Sequence, residues 1–471
     1  MTITAPNPAS ADTKRVIPKI VSVDDHIIEP ADVWTSRLPK KYLDVGPRLE
    51  RLRVDNLKFD GMNYSFDIVG DNSPGGKFAD FWCYEDLKVP MRRIITAVGF
   101  DAEERTMLPV TYEEMRKGCW DQTARLADMD ANHTEASLCF PTFPRFCGQT
   151  FAEAKDKELA LLCVQAYNDF MVEEWCGGAG KGRLIPLIIV PMWDPQLAAA
   201  EIYRNAARGV HAVCFSEVPH FLGLPTIHSG EWDPFFQACN DTQTVINMHI
   251  GSSSRMPATS PDAPAAVQAT LSFNQGMSSL ADWIFSGILP RFPNITLAYS
   301  EAQMGWIPYF LERAQNVWSE FRGWAFDPEI VSEPPEFYFR RQVYACFFRD
   351  NFGLKNLDDI GVDNVTFETD YPHSDSTWPH TEQFVREMAV DLDDETLYKI
   401  VRGNAIKMLH LDLDRASHNL NTPIEGATVL PWPPRRVPAK SARAPCAPTA
   451  HRSGEISCSG SPPDFPFSLA S

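Results

Sequence analysis

The sequence predicts an α/β fold of the (β/α)8 TIM-type barrel class, and three observations support this prediction. Eight short runs of β-branched and aromatic residues recur between residues 19 and 369. Each run is nearly continuous in hydrophobicity, which is typical of strands buried on both faces of a parallel sheet. Segments with helical character separate the runs, as in a barrel of alternating strands and helices. No G-x-G-x-x-G motif follows an early run, which weighs against an open doubly wound sheet, the second choice.

The predicted strands and helices alternate along most of the chain. The strands cover residues 19–25, 136–142, 184–192, 210–216, 244–250, 295–300, 343–348 and 364–369. The helices cover residues 113–132, 153–175, 195–208, 265–285, 305–321, 351–359 and 395–409. The third helix begins with Pro195, a residue that is common in a first helical turn because its missing N–H has no helical partner there.

One stretch, from about residue 40 to residue 112, is too long for a simple connection between a strand and a helix. It contains LKFDGMNYSFDIVG, which predicts a β-hairpin around Asp60 and Gly61. We expect this stretch to be an insertion after strand 1 that covers the barrel mouth as a cap. The barrel domain is predicted to span residues 16–422, between a disordered arm at residues 1–15 and a disordered tail, rich in Pro, Ser and Ala, at residues 423–471.

Composition and charge exclude several classes of function. The net charge of -19 over 471 residues disfavours nucleic acid as a partner, because an acidic surface repels phosphate. No apolar run reaches the roughly 20 residues that span a bilayer, and residues 1–15 lack the hydrophobic core of a secretory signal. The 11 cysteines form no C-x-x-C pair, which is typical of reduced thiols. We therefore expect a cytoplasmic protein that acts on a small molecule, with no membrane partner.

Ligand-type side chains stand where four of the predicted strands end. Asp24 and His26 end strand 1, His249 ends strand 5, Glu301 follows strand 6 and Asp370 follows strand 8. Barrel active sites lie at this end of the strands, and side chains two apart on a strand share a face, so both Asp24 and His26 can point into the mouth.

Each of these residues has a plain structural alternative. His249 alone could be a hydrogen-bonded core histidine, Glu301 could cap the following helix, and Asp370 could begin a turn. Their conjunction favours a metal site, because a divalent cation would relieve the repulsion between the buried carboxylates. Nitrogen and oxygen donors of this kind suit Zn, Mn or Fe.

Four motifs resemble the amidohydrolase superfamily in its amidohydrolase-2 branch. They read VDDHIIEP, MHIG, SEAQMGWIPYFLERA and ETDYPHSDSTWP, and the resemblance covers roughly residues 19–412. It implies a distorted (β/α)8 barrel with one or two divalent metal ions at the mouth. It also implies that Asp24, His26, His249 and Asp370 are metal ligands, and that Asp370 takes a proton from metal-bound water in hydrolytic members.

The chain departs from the pattern of this family at three points. Asp24 stands where many members have a first His, and Glu301 stands where a strand-6 His is usual. The strand-4 lysine that bridges two metals in some members is missing from VHAVCFSE, where Glu217 is either a substitute or a loop carboxylate.

The resemblance implies a metal-dependent hydrolase or decarboxylase of a bulky small organic molecule, aromatic or carrying a carboxylate or acyl group. In a hydrolase, metal-bound water would be deprotonated by Asp370, with His249 as a ligand or an electrophile. In a decarboxylase, His228 or His373 would deliver a proton to the ring. Aromatic residues of the insertion either line this substrate or pack the insertion onto the barrel; they are Phe78, Phe81, Trp82 and Tyr84.

A non-heme di-iron monooxygenase on the same barrel is the alternative enzyme. Glu301 makes the site richer in carboxylate, which favours a hard metal such as Fe or Mn over Zn, and His249 and His373 could hold a second iron. A barrel that binds without catalysis is the third choice. The helix at residues 305–321 is expected to pack on the barrel and on a second subunit, as a possible homodimer.

Overall fold

Twelve strands are found in the structure, a computed structural model that describes residues 15–60, 63–70, 73 and 75–413. In chain order they are β1 (Ile20–His26), β2 (Arg48–Asp60), β3 (Asn63–Val69), β4 (Lys77–Tyr84), β5 (Leu87–Pro90), β6 (Thr134–Phe140), β7 (Leu184–Ile185), β8 (Ala212–Phe215), β9 (Val245–His249), β10 (Leu297–Ser300), β11 (Val343–Phe347) and β12 (Val365–Phe367). The eight strands β1 and β6–β12 overlap the eight predicted runs, although β7 covers only two residues of the predicted 184–192, and their pairings are parallel. The predicted α/β class with a parallel sheet is therefore confirmed.

The eight parallel strands form two sheets, which further backbone contacts connect. One sheet has the order β1-β6-β7 and the other has the order β12-β11-β10-β9-β8. A parallel bridge between Ile188 and Val213 joins the segment after β7 to β8. At the other side, Asp370 N–H donates to Asp24 O at 3.0 Å, and His26 N–H donates to Tyr371 O at 2.6 Å. The segment after β12 is therefore bonded to β1.

A four-stranded antiparallel sheet, β3-β2-β4-β5, lies in the chain between β1 and β6. β2 and β3 pair as the predicted hairpin, with Asp60 opposite Asn63, while residues 61 and 62 lie outside the described part. Three aromatic residues of β4 are buried and one is exposed: Phe81, Trp82, Tyr84 and, at 42% exposure, Phe78. Trp82 and Tyr84 meet Phe143 and pack the sheet onto the rest of the chain, with 5.1 Å between the Trp82 and Phe143 rings, whereas Phe81 packs on Phe66 within the sheet.

Fifteen α-helices occur in the described residues. They are α1 (Gln122–Ala131), α2 (Gln149–Ala152), α3 (Lys157–Phe170), α4 (Pro195–Ala206), α5 (Asp233–Thr242), α6 (Ala265–Leu271), α7 (Phe273–Phe285), α8 (Ile288–Arg291), α9 (Ile307–Glu320), α10 (Pro335–Gln342), α11 (Asn351–Leu354), α12 (Leu357–Ile360), α13 (Thr381–Met388), α14 (Asp394–Tyr398) and α15 (Asn404–Met408). Single π-helical turns follow α3 at Met171–Trp175 and α14 at Lys399–Gly403. In the part of the chain that the structure describes, every helix is too short or too polar to cross a membrane.

The helix boundaries differ from the predicted ones where caps and prolines intervene. The helix predicted from residue 113 begins only at Gln122, because the Asp121 side chain caps it by accepting from Ala124 N–H at 2.9 Å. Five helices were not predicted, namely α2, α5, α8, α10 and α13. On α9, Phe310 is buried in the main hydrophobic core while Tyr309 is 72% exposed, so one face of the helix is buried, and pairing with a second copy stays a prediction.

The predicted terminal segments fall almost entirely on residues 1–14 and 414–471, which lie outside the described residues. Arg15, the last residue of the predicted arm, is described, and its side chain forms hydrogen bonds with the rest of the chain. Its Nε donates to Asp394 Oδ1 at 2.8 Å and its guanidinium also donates to Ala389 O at 2.7 Å.

Candidate metal centre

Four buried side chains from three strand ends converge at one point. Asp24 and His26 lie on β1, His249 is the last residue of β9, and Asp370 follows β12; each is at most 1% exposed. His26 Nε2 lies 3.5 Å from Asp24 Oδ1 and 3.6 Å from Asp370 Oδ1. His249 Nε2 lies 3.4 Å from Asp24 Oδ2. Residues that are far apart in the sequence thus place carboxylate and imidazole atoms within reach of a common ion.

Two further side chains complete the cluster on its more open side. Glu301 and His373 are 16% and 17% exposed. His373 Nδ1 lies 3.0 Å from Asp370 Oδ1 and 4.0 Å from Glu301 Oε1, and Glu301 Oε2 lies 3.8 Å from His249 Nε2. The cluster therefore has an inner set of four fully buried donors and an outer pair that a small molecule would meet first.

The donors fall into two groups, and within each group the ligand atoms all lie within 4.8 Å of one another. One group is Asp24, His26 and His249, and the other is His26, Glu301, Asp370 and His373. His26 belongs to both groups. The structure thus brings together all six predicted ligands, but it groups His373 with His26 rather than with His249, the arrangement considered for a second iron.

The alternation of side chains on β1 separates two consecutive aspartates. Asp24 points to the cluster, whereas Asp25 accepts hydrogen bonds from Thr369 Oγ1 at 2.6 Å, from Tyr371 N at 3.0 Å and from the hydroxyl of Ser137. Asp25 therefore ties β1 to its neighbours, as the two-residue period of a strand requires.

The backbone at two of the site carboxylates has a left-handed conformation. φ is 55° at Glu301 and 50° at Asp370, a region that costs non-glycine residues roughly 1–3 kcal/mol. Local hydrogen bonds hold both positions: Glu301 N–H donates to Glu368 Oε2 at 3.2 Å, and Asp370 N–H donates to Asp24 O. Such strain is typical of functional sites, where it aims a side chain that a regular strand could not aim.

Neighbouring groups orient both inner histidines. His249 Nδ1 lies 2.6 Å from Ile250 O, so Nδ1 carries the proton and Nε2 presents its lone pair to the cluster. The His249 ring stacks on Phe146 at 4.1 Å. The His26 ring stacks on His373 at 3.7 Å, and its backbone carbonyl accepts from Arg125 at 2.5 Å.

Burial controls the protonation of the inner set. It raises the pKa of Asp24 well above its usual range, and repulsion from Glu368, Glu301 and Asp370 adds to the rise. Burial likewise raises the pKa of Asp370, and it lowers the pKa values of His26 and His249. The inner set thus resists carrying charge without a cation to compensate it.

The outer pair behaves in the opposite way. Burial opposes ionisation of Glu301, but His249 and His373 outweigh it and lower the pKa of Glu301 to about 2. Burial also opposes ionisation of His373, but Asp370 and Glu301 raise the pKa of His373 to about 10. Glu301 and His373 therefore form a charged pair beside the inner donors.

The inner set fits a divalent metal ion. Among the described residues, neither oxygen of Asp24, nor Nε2 of His26, nor Nε2 of His249 has a hydrogen-bond partner, although all four atoms are buried. Unpaired buried polar atoms are unfavourable by about 1–3 kcal/mol each. Carboxylate and imidazole donors are ligands of Zn, Mn and Fe, and the large share of carboxylate favours the harder ions.

Two residues considered from the sequence lie outside the cluster. His228 is 49% exposed and contacts Asp282 on α7, so the structure does not bring its imidazole to the other donors. Glu217 is buried after β8, where its Oε2 accepts from Gly251 N at 3.1 Å. It belongs to none of the donor groups found in the described residues.

Two buried residues beside the cluster were not predicted. Glu368 lies two residues before Asp370, and Cys346 is the penultimate residue of β11. With Asp24 they form a third group of potential ligand atoms. The spacing from Asp370, which places Glu368 on the same face of an extended segment, is a signal that could have identified Glu368.

Carboxylates and imidazoles gathered where parallel strands end define a class of protein, the metal-dependent enzymes built on an α/β sheet. Comparison with known families narrows this class. The profile of the family described as Amidohydrolase matches residues 80–411, so the chain belongs to the amidohydrolase family.

Solved structures with the same fold are similar at low sequence identity. An amidohydrolase from Mycobacterium avium subsp. paratuberculosis K-10 has a TM-score of 0.62 at 20% identity, covering 84% of this chain and 100% of its own. A 5-carboxyvanillate decarboxylase from Novosphingobium aromaticivorans with bound manganese has a TM-score of 0.51 at 20% identity, covering 63% of this chain and 83% of its own. A dihydroxybenzoic acid decarboxylase from Polaromonas sp. JS666, also with manganese, has a TM-score of 0.50 at 18% identity, with coverages of 64% and 89%.

Proposed function

We propose that this protein is a metal-dependent enzyme that decarboxylates a small aromatic acid. The observation that carries the proposal is the convergence of Asp24, His26, His249 and Asp370, four fully buried donors on three strand ends. These four would hold one divalent ion, with Mn the first choice because half of the set is carboxylate. A bound ion would supply positive charge next to the carboxylate of the substrate.

The outer pair, Glu301 and His373, would hold the proton and deliver it to the substrate. Loss of CO2 breaks a carbon–carbon bond and leaves its electron pair on the ring carbon, which must then take up a proton. His373 is partly exposed and its Nδ1 lies 3.0 Å from Asp370, so its imidazolium can be held beside the inner donors and can donate to that carbon. Glu301, which also faces His373, would keep the imidazole protonated. We assign no role to His228, because it pairs with Asp282 instead.

Aromatic rings beside the histidines support an aromatic substrate. Phe146 lies 4.1 Å from the His249 ring and 6.0 Å from the His26 ring, and Phe140 lies 5.0 Å from the His249 ring. Offset or edge contacts with such rings would hold a flat substrate in place. The manganese-containing decarboxylases among the similar structures act on substituted benzoates by their names, which agrees with this choice.

Hydrolysis is the second candidate. Asp370 is a buried carboxylate next to His26, a placement that also suits deprotonation of a water molecule. One of the similar structures is an amidohydrolase by name, which agrees with this candidate. The similar structures reported above are an amidohydrolase and decarboxylases by name, so the di-iron monooxygenase alternative has no support from them.

We also propose that the eight parallel strands close into a (β/α)8 barrel. The support is the bridge between Ile188 and Val213 on one side and the hydrogen bonds of Asp24 and His26 with the segment after β12 on the other. The antiparallel sheet and the segment after it would form the cap. Val98 N–H donates to Pro372 O at 3.2 Å, next to His373, which is the contact expected of a cap.

The experiment compares CO2 release with hydrolysis in the manganese-loaded protein. Hydroxylated benzoic acids and matched aromatic esters and amides are offered in D2O, with and without prior chelation. We expect metal-dependent CO2 release with one deuterium on the carbon that lost the carboxylate. Metal-dependent cleavage of esters or amides without CO2 release would replace the proposal by hydrolysis. Turnover that is unchanged after chelation would contradict both.

A further inference from the structure

A third group of potential ligand atoms lies beside the proposed metal centre and includes sulfur. Asp24, Cys346 and Glu368 each offer one atom, and the three atoms lie within 4.8 Å of one another. All three residues are at most 2% exposed. Only Asp24 belongs to the ligand set described above.

The order of the strands explains why these three residues meet. Cys346 on β11 pairs with Thr366 on β12. Glu368 N–H donates to Phe347 O at 3.2 Å, and Asp370 N–H donates to Asp24 O at 3.0 Å. Cys346 therefore lies on β11, Glu368 directly after β12, and Asp24 on β1, which is hydrogen-bonded to the segment after β12.

The polar atoms of this group are poorly satisfied. Glu368 Oε2 accepts from Glu301 N and contacts the Cys346 thiol. Glu368 Oε1 and both oxygens of Asp24 have no hydrogen-bond partner within the described residues, although they are fully buried. Within the described residues, the ion pairs of this group are those of Asp24 with the two inner histidines, whose pKa values burial lowers, so two carboxylates and a thiol are unfavourable unless a cation or a shared proton compensates them.

We propose that Asp24, Cys346 and Glu368 form a second cation site that takes a thiophilic divalent ion such as Cd²⁺ or Zn²⁺. Cys346 binds as the thiolate and releases its proton when the ion binds. The hard Mn²⁺ ion prefers the oxygen and nitrogen donors of the first site, while a thiolate selects softer ions. The inference rests on the proposed function only through Asp24, which both sites share.

The competing explanation is a structural pair. A protonated Glu368 that shares its proton with Cys346 would merely hold Glu301 N–H in place, and no ion would be bound. The two explanations differ in the number of soft metal ions bound per chain and in whether the Cys346 sulfur is a ligand. Both quantities can be measured without an assay of catalysis.

The experiment titrates the full-length, metal-free protein with Cd²⁺ after loading with Mn²⁺. Two cysteines outside the described residues, Cys446 and Cys458, are first replaced by Ser to remove their thiols. We expect one Mn²⁺ per chain at the start. Excess Cd²⁺ is expected to give two Cd²⁺ per chain by elemental analysis after gel filtration, with a thiolate-to-metal charge-transfer absorption in the near ultraviolet.

Variants assign that absorption to the site. Cys346→Ala is expected to abolish the absorption and to lower the Cd²⁺ content by one ion, and Glu368→Gln is expected to weaken the second ion at least tenfold. Cys239→Ala, which removes another fully buried thiol, on α5, is the matched control and should behave as the parent. If Cys346→Ala does not fold, the ¹¹³Cd resonance of the parent decides by itself, because a sulfur ligand shifts it strongly downfield.

Two results would overturn the inference. One is a single Cd²⁺ per chain without charge-transfer absorption, and the other is an absorption that persists in Cys346→Ala. In either case, retained Mn²⁺ binding would leave the proposed centre intact. Failure to bind Mn²⁺ would instead count against the proposed function, because Mn²⁺ does not use the thiol.

Discussion

At the scale of single residues, Asp24 and Asp25 show how hydrogen bonding distinguishes two neighbouring buried carboxylates. The two residues are neighbours in the sequence, and each is at most 1% exposed. Asp25 is surrounded by donors, including Thr369 and the Tyr371 N–H, whereas the oxygens of Asp24 have no partner among the described residues. A buried carboxylate that the fold leaves unpaired is one that a ligand must satisfy.

Asp370→Asn keeps the shape of the side chain but removes its charge from the inner set. We expect Mn²⁺ affinity and activity to fall more than ~100-fold, because even residues that only support metal ligands contribute 10–100-fold. The fold should be retained, since one of several mutually repelling carboxylates is lost. Asp375→Asn, on the same loop but outside the donor groups, is the control. A dye-competition titration with Mn²⁺ measures the difference, and equal affinities of Asp370→Asn and the parent would contradict the ligand assignment.

Glu29 gives a pH-dependent prediction away from the ligands. Burial raises the pKa of Glu29 from 4.5 to about 7, although its oxygens accept from Thr142 N at 2.8 Å and Phe143 N at 3.0 Å. The folded state therefore holds the proton more tightly than the unfolded state. The contribution of Glu29 to stability is full below about pH 4.5 and is lost as the pH rises to about 7, by roughly 3 kcal/mol.

The test of this effect uses Glu29→Gln, which cannot titrate. Denaturant unfolding should show the stability of the variant, relative to the parent, rising by roughly 3 kcal/mol between about pH 4.5 and about pH 8. Stability curves that stay parallel across this range would mean that Glu29 does not carry the shifted pKa.

At the scale of elements, the antiparallel sheet is attached to the rest of the chain through aromatic packing. Trp82 on β4 is fully buried, stacks on Phe143 and meets Trp34 edge-on at 5.0 Å. The sheet therefore depends on the loop after β6 for its own stability, and that loop also carries Phe146 to the His249 ring.

Trp82→Ala should lower the free energy of unfolding by about 3–5 kcal/mol, because it leaves a large cavity in this aromatic cluster. Phe78→Ala, on the same strand but 42% exposed, should lower it by less than about 1 kcal/mol. Urea unfolding of the two variants measures both values. A comparable loss in both would show that Trp82 does not anchor the sheet.

The strands were predictable because each is a short, continuous apolar run, and the hairpin because Asp60 and Gly61 mark its turn. Helices α5 and α10 were missed although each has a proline in its first turn, because their buried residues are largely aromatic, a residue class that also favours strands. Helix α13 has a polar sequence, and its buried residues, such as Val385, are few.

The convergence of the inner donors was predictable for a different reason. Parallel strands bring their carboxyl ends to one edge, so a ligand-type residue at each end is enough to predict the cluster. Glu368 could have been recognised from its two-residue spacing to Asp370, whereas nothing in the sequence marks Cys346, because its contact with Glu368 depends on the pairing of β11 with β12. The exposure of His228 follows from a loop that carries no apolar pattern.

At the scale of the whole molecule, the proposed ion couples binding to stability. The inner donors lie on strands from both parallel sheets, β1 in one and β9 in the other. An ion that binds only the folded chain adds about 2.7 kcal/mol at one hundred times its dissociation constant. We expect Mn²⁺ to raise the melting temperature of the metal-free protein, and to have no such effect on His249→Ala. Equal melting shifts in both proteins would point to binding elsewhere.

The most direct test of the central claim is equilibrium dialysis of the metal-free protein against Mn²⁺. The parent is compared with a double variant, Asp24→Asn with His249→Ala, whose folding is verified by circular dichroism. We expect one tightly bound Mn²⁺ per chain in the parent and none in the folded double variant. Equal Mn²⁺ content in the two proteins, or none in the parent, would contradict a metal centre formed by these strand ends.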